Sequence, residues 1–460
     1  MKPSRFNLRS ALADGAVLHF NFSTLALLAL DPATARKADR ILGDPGRESA
    51  ARGQRRLSRL LEKHGFLVPD SCDELAPLDA GFRAHQAEAA GLSLTVLPTL
   101  ACNFDCTYCY EGRTHRGGMT RAVQDALPPF AAARLPEGGH LSVTWYGGEP
   151  LLARAAIERL SRAFIALCEE RHARYEARII TNGYLLDGAA ARWLKDLGVT
   201  GAQVTLDGPP EVHDLRRPLA AGAGTFSRIV ENLRSASDVF EITLRSNIDD
   251  GNRACIGDLL DLLIQQDLGH KVVFYAGQTT SLSSACADGA DDCLEPEAFS
   301  LLTLEASLDL TGRNLLDAVR PRSAHGPCGA VRGNSFVVSP DGGLSTCWEE
   351  VGNPERYVGH LIEPQSELME RNRRSWAAYD PFELECRDCR VLPICMSRCP
   401  RWVRETGTLP CPGWKHHPDE HLLNEYRLRQ LDQERQVAIG LAELRDALRE
   451  AAATGIPRRR

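Results

Sequence analysis

The 460-residue chain lacks any apolar stretch of the ~20 residues that a membrane-spanning helix needs. Its first residues also lack an apolar segment followed by a small-residue cleavage site, so they do not resemble a secretory signal. There is no basic excess, since 54 Lys and Arg stand against 61 Asp and Glu. These absences predict a cytoplasmic protein with neither a membrane nor a nucleic acid as its partner.

Cysteine, by contrast, is abundant: the chain has 15. Disulfides rarely persist in a reducing compartment, so metal ligation is the better default explanation. Ten of the cysteines fall into two spaced groups, at 102–109 and 328–411. The others lie outside short-spaced motifs, and we expect buried or incidental thiols at Cys72, Cys168, Cys255, Cys286 and Cys293.

The pattern of apolar and polar residues predicts four units along the chain. Residues 1–90 mix strand-like alternation with helical spacing, which is typical of a small α+β module. Residues 91–323 alternate short β-rich runs with helix-length segments, as βα units around a parallel sheet do. Residues 324–418 are rich in Cys, Gly and Pro, and residues 419–460 have the periodicity of a helical tail.

Six strands are predicted in the second unit, which suits an open, partial (β/α)6 barrel rather than a closed barrel of eight. They are Ser93–Leu97, Leu141–Trp145, Ala177–Ile180, Ala202–Leu206, Ile242–Ile248 and Val272–Tyr275. The predicted fold class is therefore α/β, with the small α+β module before the barrel and a cysteine-rich domain after it. Ligands of such sheets bind at the carboxyl ends of the strands.

Three cysteines follow the first of these strands with the spacing C-x3-C-x2-C: Cys102, Cys106 and Cys109. Three thiolates hold three irons of a [4Fe–4S] cluster, and the fourth iron is then free for the amino and carboxylate groups of S-adenosylmethionine (SAM). Structural zinc is the alternative, but it usually takes four protein ligands, and no fourth ligand lies nearby. We therefore expect an iron–sulfur cluster here.

Further short motifs lie on or after successive strands. They comprise Tyr108, Gly147, Gly148, Glu149, Pro150, Thr181, Asn182, Thr205, Arg245 and Asn247. With these motifs, residues 92 to about 415 resemble the radical SAM superfamily. The resemblance implies that these residues bind SAM, with Tyr108 near the adenine and Glu149 accepting from the methionine ammonium. Arg245 and Asn247 are candidates for its carboxylate and ribose.

Seven cysteines of the third unit resemble the SPASM domain pattern: Cys328, Cys347, Cys386, Cys389, Cys395, Cys399 and Cys411. The resemblance implies two auxiliary [4Fe–4S] clusters, the inner one on Cys328, Cys347 and Cys399 and the outer one on the other four. Relatives with a fully ligated inner cluster have one more cysteine, which is absent from residues 320–325. The inner cluster is expected either to keep an open iron for a substrate thiolate or to recruit a ligand from Cys286, Cys293 and His325.

The resemblance also implies a modification of peptides or proteins. We expect a 5′-deoxyadenosyl radical to abstract a substrate hydrogen and so form a cross-link or thioether in a ribosomally made peptide. Residues 1–90 would bind that precursor or simply cover the barrel, and flavodoxin or ferredoxin would donate electrons. Glu349 and Glu350 are candidate catalytic bases.

Two other functions stay open on the sequence. Residues 207–218 look similar to sulfatase-maturing enzymes, which form formylglycine. Those enzymes have an acidic residue directly after the cysteine that corresponds to Cys347, whereas this chain has Trp348. A catalytically inactive iron–sulfur scaffold or sensor is the alternative of another class, and the intact C-x3-C-x2-C motif argues against it.

Overall fold

The computed structural model describes residues 1–45, 52–87, 90–109, 117–279, 293–312 and 320–431. Cys286 and the predicted tail beyond residue 431 lie outside this part of the chain. Among the described residues, no helix is both long and apolar enough to cross a membrane.

Two small antiparallel sheets and three helices form the N-terminal module. Its strands are β1 (Lys2–Pro3), β2 (Asn7–Ala11), β3 (Val17–Asn21), β4 (Leu27–Leu30) and β5 (Leu67–Val68). Its helices are α1 (Pro32–Gly43), α2 (Arg52–Lys63) and α3 (Ala76–Ala87). Asp31 is the N-cap residue of α1, since its carboxylate accepts from the backbone N–H groups of Ala33 and Thr34 in the first turn.

Six parallel strands form the partial barrel, in the order in which they occur along the chain. They are β6 (Gly91–Val96), β7 (His140–Trp145), β8 (Arg174–Thr181), β9 (Val199–Thr205), β10 (Glu241–Ile248) and β11 (Val272–Gln278). The helices are α4 (Arg121–Ala132), α5 (Arg154–Glu170), α6 (Gly188–Asp196), α7 (Pro210–Arg216), α8 (Phe226–Ala236), α9 (Ile256–Gln265) and α10 (Pro296–Gly312). All six predicted strands, and the partial-barrel fold class, are confirmed.

Side chains alternate between the two faces of these strands. In β7, Leu141, Val143 and Trp145 are buried in the main hydrophobic core, whereas Ser142 and Thr144 line a cavity inside the barrel. The inner face thus carries small polar side chains, which leave room for a ligand instead of filling the interior.

The barrel sheet continues into the cysteine-rich domain. Strand β12 (Ser335–Val338) pairs parallel with β6, and β13 (Gly343–Ser345) and β14 (Gly359–His360) extend the same sheet. The helices of this domain are α11 (Glu367–Ala377), α12 (Leu392–Cys395), α13 (Pro400–Thr406) and α14 (Gly413–His416), and residues 418–431 are also helical. Within the described residues, the two units therefore share one nine-stranded sheet, which places the cysteine-rich domain beside the barrel.

The N-terminal module packs against the cysteine-rich domain through aromatic side chains. Phe20 stacks on Trp414 with ring centroids 5.4 Å apart, and Phe22 meets the same indole edge-on at 5.5 Å. Phe20 and Phe22 are fully buried in this contact. Farther along the module, Arg83 of α3 forms an ion pair with Asp380.

Candidate functional site

A cavity of about 960 Å³ lies at the carboxyl ends of the barrel strands and extends to the cysteine-rich domain. Three cysteines from each side line it: Cys102, Cys106 and Cys109 from the barrel, and Cys328, Cys347 and Cys399 from the other domain. The structure thus brings the predicted SAM-cluster cysteines and the predicted inner-cluster cysteines to one space. That they ligate iron stays a prediction.

The other four predicted ligands, Cys386, Cys389, Cys395 and Cys411, line a separate cavity of about 240 Å³. The seven cysteines are therefore divided in space into the same sets of three and four that the SPASM resemblance implies. Four thiols around one small cavity fit a fully ligated cubane, and three thiols at an open cavity fit a cluster with one free iron.

Partial burial disfavours the charged form of several of these thiols, although Cys102, Cys109 and Cys328 remain accessible from the large cavity. Burial raises the pKa of Cys102 to about 12 and that of Cys328 to about 11. In the smaller cavity it raises the pKa of Cys395 to about 12. Without a bound cation the neutral thiol is favoured, so metal binding at these sites must displace protons. No three His, Cys, Asp or Glu side chains of the described residues are placed to hold a single metal ion.

Most of the predicted SAM-binding residues line the large cavity: Tyr108, Gly147, Gly148, Thr181, Asn182, Thr205, Arg245 and Asn247. Arg245 donates to Asn247 Oδ1 at 2.6 Å and to Tyr275 Oη at 2.9 Å. These two contacts fix the direction of the Arg245 side chain beside the cavity. Glu149 and Pro150 are buried and do not line it.

Glu149 is fully buried, and backbone groups occupy its carboxylate. Oε1 accepts from Leu151 N at 2.9 Å, and Oε2 accepts from Asn182 N at 2.8 Å. The Thr181 hydroxyl lies 2.9 Å from both oxygens. Burial raises the pKa of this carboxyl group, and the hydrogen bonds to it partly offset that rise. In this arrangement Glu149 ties the turn after β7 to the turn after β8.

The two glycines of the motif are required by the backbone next to them. Gly147 has φ +115°, and a Cβ there would lie 2.3 Å from Thr99 O. A Cβ on Gly148 would lie 2.5 Å from Ala101 O. The absence of a Cβ at both positions therefore allows close approach of the chain that leads into Cys102.

Tyr108 is held by a polar network that the sequence did not predict. Its hydroxyl donates to Asp207 Oδ2 at 2.5 Å and accepts from Arg217 Nη1 at 2.5 Å and Asn247 Nδ2 at 3.0 Å. Burial raises the pKa of Tyr108, so the phenol keeps its proton. Asp207 is fully buried. The neighbouring Arg216 forms a bidentate ion pair with Asp249, with N–O distances of 2.9 and 2.8 Å.

Arg217, and the contact of Asp207 with Tyr108, were not predicted from the sequence. Both residues belong to the segment 207–218, which resembles sulfatase-maturing enzymes. A signal was present, because an Asp directly after a buried strand and two adjacent arginines are unusual charges for the mouth of a barrel.

The two candidate bases have different positions. Glu349 lines the cavity and pairs with Arg401. Glu350 is 4% exposed, does not line the cavity, and neither of its carboxylate oxygens has a hydrogen-bond partner. Burial raises the pKa of Glu350, and Arg404 opposes that rise. Trp348 also lines the cavity, with 41% of its surface exposed, and its ring lies 5.3 Å from that of Tyr146.

Among the described residues, no cysteine outside the two groups lines either cavity. Cys168 is buried, whereas Cys72 and Cys255 are half-buried, free thiols. The expectation of a free thiol at Cys293 is wrong, because this residue is in a disulfide and so offers no thiolate to a cluster. His325 is exposed and lines neither cavity.

Comparisons with known proteins find similar sequences and similar folds. The family model of the radical SAM superfamily matches residues 96–263. The cysteine-type anaerobic sulfatase-maturating enzyme of Clostridium perfringens (strain 13 / Type A) is 32% identical over 151 residues, which cover 30% of this chain and 39% of that protein. The serine-type enzyme of Klebsiella aerogenes is 24% identical over 325 residues, covering 67% of this chain and 79% of that protein.

Two solved structures share the fold. Native anSMEcpe with bound AdoMet and Cp18Cys peptide has a TM-score of 0.57 at 19% identity and covers 75% of this chain and 99% of its own. Streptococcus suis SuiB bound to the precursor peptide SuiA has a TM-score of 0.50 at 13% identity, with coverages of 89% and 97%. The family match and these relatives together show that the chain carries a radical SAM domain.

Proposed function

We propose that the chain is a radical SAM maturase that forms a cross-link or thioether in a ribosomally made peptide. One observation carries the proposal: a single cavity of about 960 Å³ is lined by three cysteines from the barrel and three from the cysteine-rich domain. A peptide side chain held there lies between two cysteine sets, one for radical generation and one for redox chemistry or thiolate binding.

Cys102, Cys106 and Cys109 would hold a [4Fe–4S] cluster. With SAM bound, that cluster would supply a 5′-deoxyadenosyl radical to remove a hydrogen atom from the substrate. The chain's own residues orient the cofactor: the network around Tyr108 fixes one side of the cavity, and Arg245 offers a cation beside it. Polar side chains on the inner strand face leave the space open to a ligand.

Two auxiliary clusters are part of the proposal. The outer one would be held by Cys386, Cys389, Cys395 and Cys411. The inner one would be held by Cys328, Cys347 and Cys399. The described lining of the large cavity contains no histidine and no further cysteine of that domain. An open iron at the inner cluster suits a substrate thiolate and so favours thioether formation.

Proton removal from the substrate is assigned to Glu349 rather than Glu350. Glu349 lines the cavity, whereas Glu350 is buried behind it. The pairing with Arg401 holds the Glu349 carboxylate in place, so that it is pre-positioned for a substrate.

The N-terminal module is proposed to bind the precursor peptide by strand addition. Within the described residues, β2 and β4 are the outer strands of its three-stranded sheet, and each pairs on one side only. An outer strand offers backbone groups to an extended peptide. The shared fold with SuiB bound to its precursor peptide supports this placement. The alternative is a module that simply covers the barrel.

The enzyme would act in the cytoplasm, where cluster thiols stay reduced, and would receive electrons from a donor such as flavodoxin or ferredoxin.

Sulfatase maturation is the second candidate, because two relatives of this chain are sulfatase-maturating enzymes. Trp348 stands where those enzymes are expected to have an acid directly after the cysteine. Glu349, one residue later, does line the cavity and offers a carboxylate to the same chemistry.

The test begins with anaerobic reconstitution of the full chain, followed by iron quantification and an assay for 5′-deoxyadenosine after dithionite reduction. We expect about twelve irons per chain, as three cubanes require. A Cys106→Ala variant should lose 5′-deoxyadenosine formation, whereas Cys72→Ala, at a half-buried free thiol outside the motifs, should keep it. Failure of the wild-type enzyme to cleave SAM would overturn the proposal and leave a scaffold or sensor.

Mass spectrometry then separates the two candidates. The enzyme is incubated with peptides encoded beside its gene and with a sulfatase peptide that carries cysteine. A cross-link removes a pair of hydrogen atoms from the peptide. Formylglycine formation exchanges sulfur for oxygen with the loss of two hydrogens, and that product would favour the second candidate.

A further inference from the structure

The cysteine motif pairs through its backbone with the segment that follows α7. The contacts are Asp105 N to Pro218 O at 2.9 Å, Thr107 N to Arg216 O at 3.0 Å, Ala220 N to Asn103 O at 2.9 Å, and a bridge between Phe104 and Leu219. All four follow one antiparallel register, which places Arg217 directly opposite Cys106. This pair stands between two hydrogen-bonded pairs, the position where opposite Cα atoms are closest, about 4.5 Å, and the side chains share one face.

Both side chains do reach the same space. Cys106 and Arg217 line the large cavity, and Arg217 is only 7% exposed. Its Nη1 donates to the Tyr108 hydroxyl, and its Nε has no hydrogen-bond partner. The guanidinium also lies over the Phe104 ring, 5.7 Å from the centroid. Arg217 is therefore a buried cation held against the cysteine motif.

The two adjacent arginines differ in how their charge is compensated. Arg216 forms an ion pair with both carboxylate oxygens of Asp249 and approaches Asp207 at 3.6 Å. Arg217 forms no salt bridge within the described residues and reaches Asp207 only through the Tyr108 hydroxyl. The cation without a salt bridge is thus the one that stands opposite the cysteine.

We propose that Arg217 sets the reduction potential of the cluster held by Cys102, Cys106 and Cys109. One-electron reduction adds a negative charge to that site, and a buried cation beside it stabilises the more negative state. Arg217 thereby raises the potential at which the cluster accepts an electron from its donor. Arg217 thus acts on the reduction potential and does not take part in the chemical step, and this inference rests on the proposed cluster.

The test replaces Arg217 by glutamine, which keeps a polar side chain but removes the charge. We expect the equilibrium constant for cluster reduction to fall about tenfold, which is a midpoint potential about 59 mV more negative for a one-electron couple. Arg217→Lys keeps the positive charge but not the guanidinium shape, so the equilibrium constant for cluster reduction should change less than about threefold. Arg228→Gln, at an exposed arginine paired with Glu231 on α8, is the matched control and should cause no shift.

The measurement is an anaerobic redox titration of the reconstituted enzyme, followed by electron paramagnetic resonance of the component that responds to SAM. If the equilibrium constant for cluster reduction in Arg217→Gln lies within a factor of two of the wild-type value, the inference is overturned, whatever the iron content of the variant. If that variant retains no cluster, Asp207→Asn decides. Removal of this buried anion should move the potential in the positive direction, and an unchanged or more negative potential overturns the inference.

The two levels of failure are distinguishable. A wild-type enzyme without a SAM-responsive cluster contradicts the proposed function itself. A normal cluster whose potential ignores both Arg217 and Asp207 contradicts only the tuning role.

Discussion

Replacement of Glu149 by glutamine tests whether this carboxylate is a structural tie or a ligand for SAM. Each of its two oxygens accepts from a different backbone N–H, that of Leu151 at 2.9 Å and that of Asn182 at 2.8 Å. Glutamine has the same shape but only one acceptor oxygen. In either amide orientation its NH2 group must face a backbone donor, so one buried N–H loses its partner.

The expected cost is about 1–3 kcal/mol, the penalty for one unsatisfied buried donor. Opening of the two turns should become easier by this amount, which corresponds to roughly 5- to 150-fold faster exchange at a factor of ten per 1.4 kcal/mol. The assay is amide hydrogen exchange at Leu151 and Asn182 in the reconstituted enzyme without SAM, together with equilibrium binding of SAM.

Glu158→Gln is the matched control, since it makes the same chemical change at an exposed ion pair with Arg162 on α5. Such pairs contribute about 0–1 kcal/mol, so exchange at the two turns should not change. Unaltered exchange in Glu149→Gln, with weaker SAM binding as its only defect, would refute the structural role and favour the direct contact with the methionine ammonium that the sequence predicted.

Three further outcomes are expected. Phe20→Ala should lower the free energy of unfolding by about 3–5 kcal/mol, because it removes a fully buried ring that stacks on Trp414. Amide hydrogen exchange should become faster in residues 1–45 but not in the barrel strands. Equally faster exchange in both regions would contradict this docking. Burial lowers the pKa of His19 in the folded module. As the pH falls below about 6.5, the unfolded chain therefore binds a proton that the folded module does not, and the free energy of unfolding should decrease. The thermal midpoint should therefore fall less steeply between about pH 7 and 5.5 in His19→Gln, and coincident slopes would contradict a neutral buried imidazole. Cys389→Ala should remove about four irons per chain and leave 5′-deoxyadenosine formation intact, whereas loss of that activity would show that the two cysteine sets do not act separately.

Local patterns predicted much of this fold. The six barrel strands are short β-rich runs bounded by turn residues, and each lies within about three residues of its predicted position. The motifs are recognisable in the sequence because they follow these strands in order. Strand β12 was not predicted, since four residues between two cysteines carry too weak a periodic signal and gain their strand form by pairing with β6.

The roles of individual site residues were harder to predict than their positions. Glu149 was expected to face the ligand, but the hydrogen bonds it accepts come from two turns that are far apart in sequence from each other. Glu349 and Glu350 could not be distinguished, because adjacent residues of a short turn point in different directions only once the turn is folded.

The sequence by itself determined the chemistry available to this protein. The spacing of Cys102, Cys106 and Cys109, and that of the seven later cysteines, is local covalent information that needs no tertiary structure. Only the tertiary structure decided which groups meet. Pairing of β12 with β6 brings Cys328 and Cys347 to the barrel mouth, and antiparallel pairing places Arg217 opposite Cys106. Such contacts join segments separated by a hundred residues or more, and they depend on sheet register and side-chain burial, which no local pattern specifies.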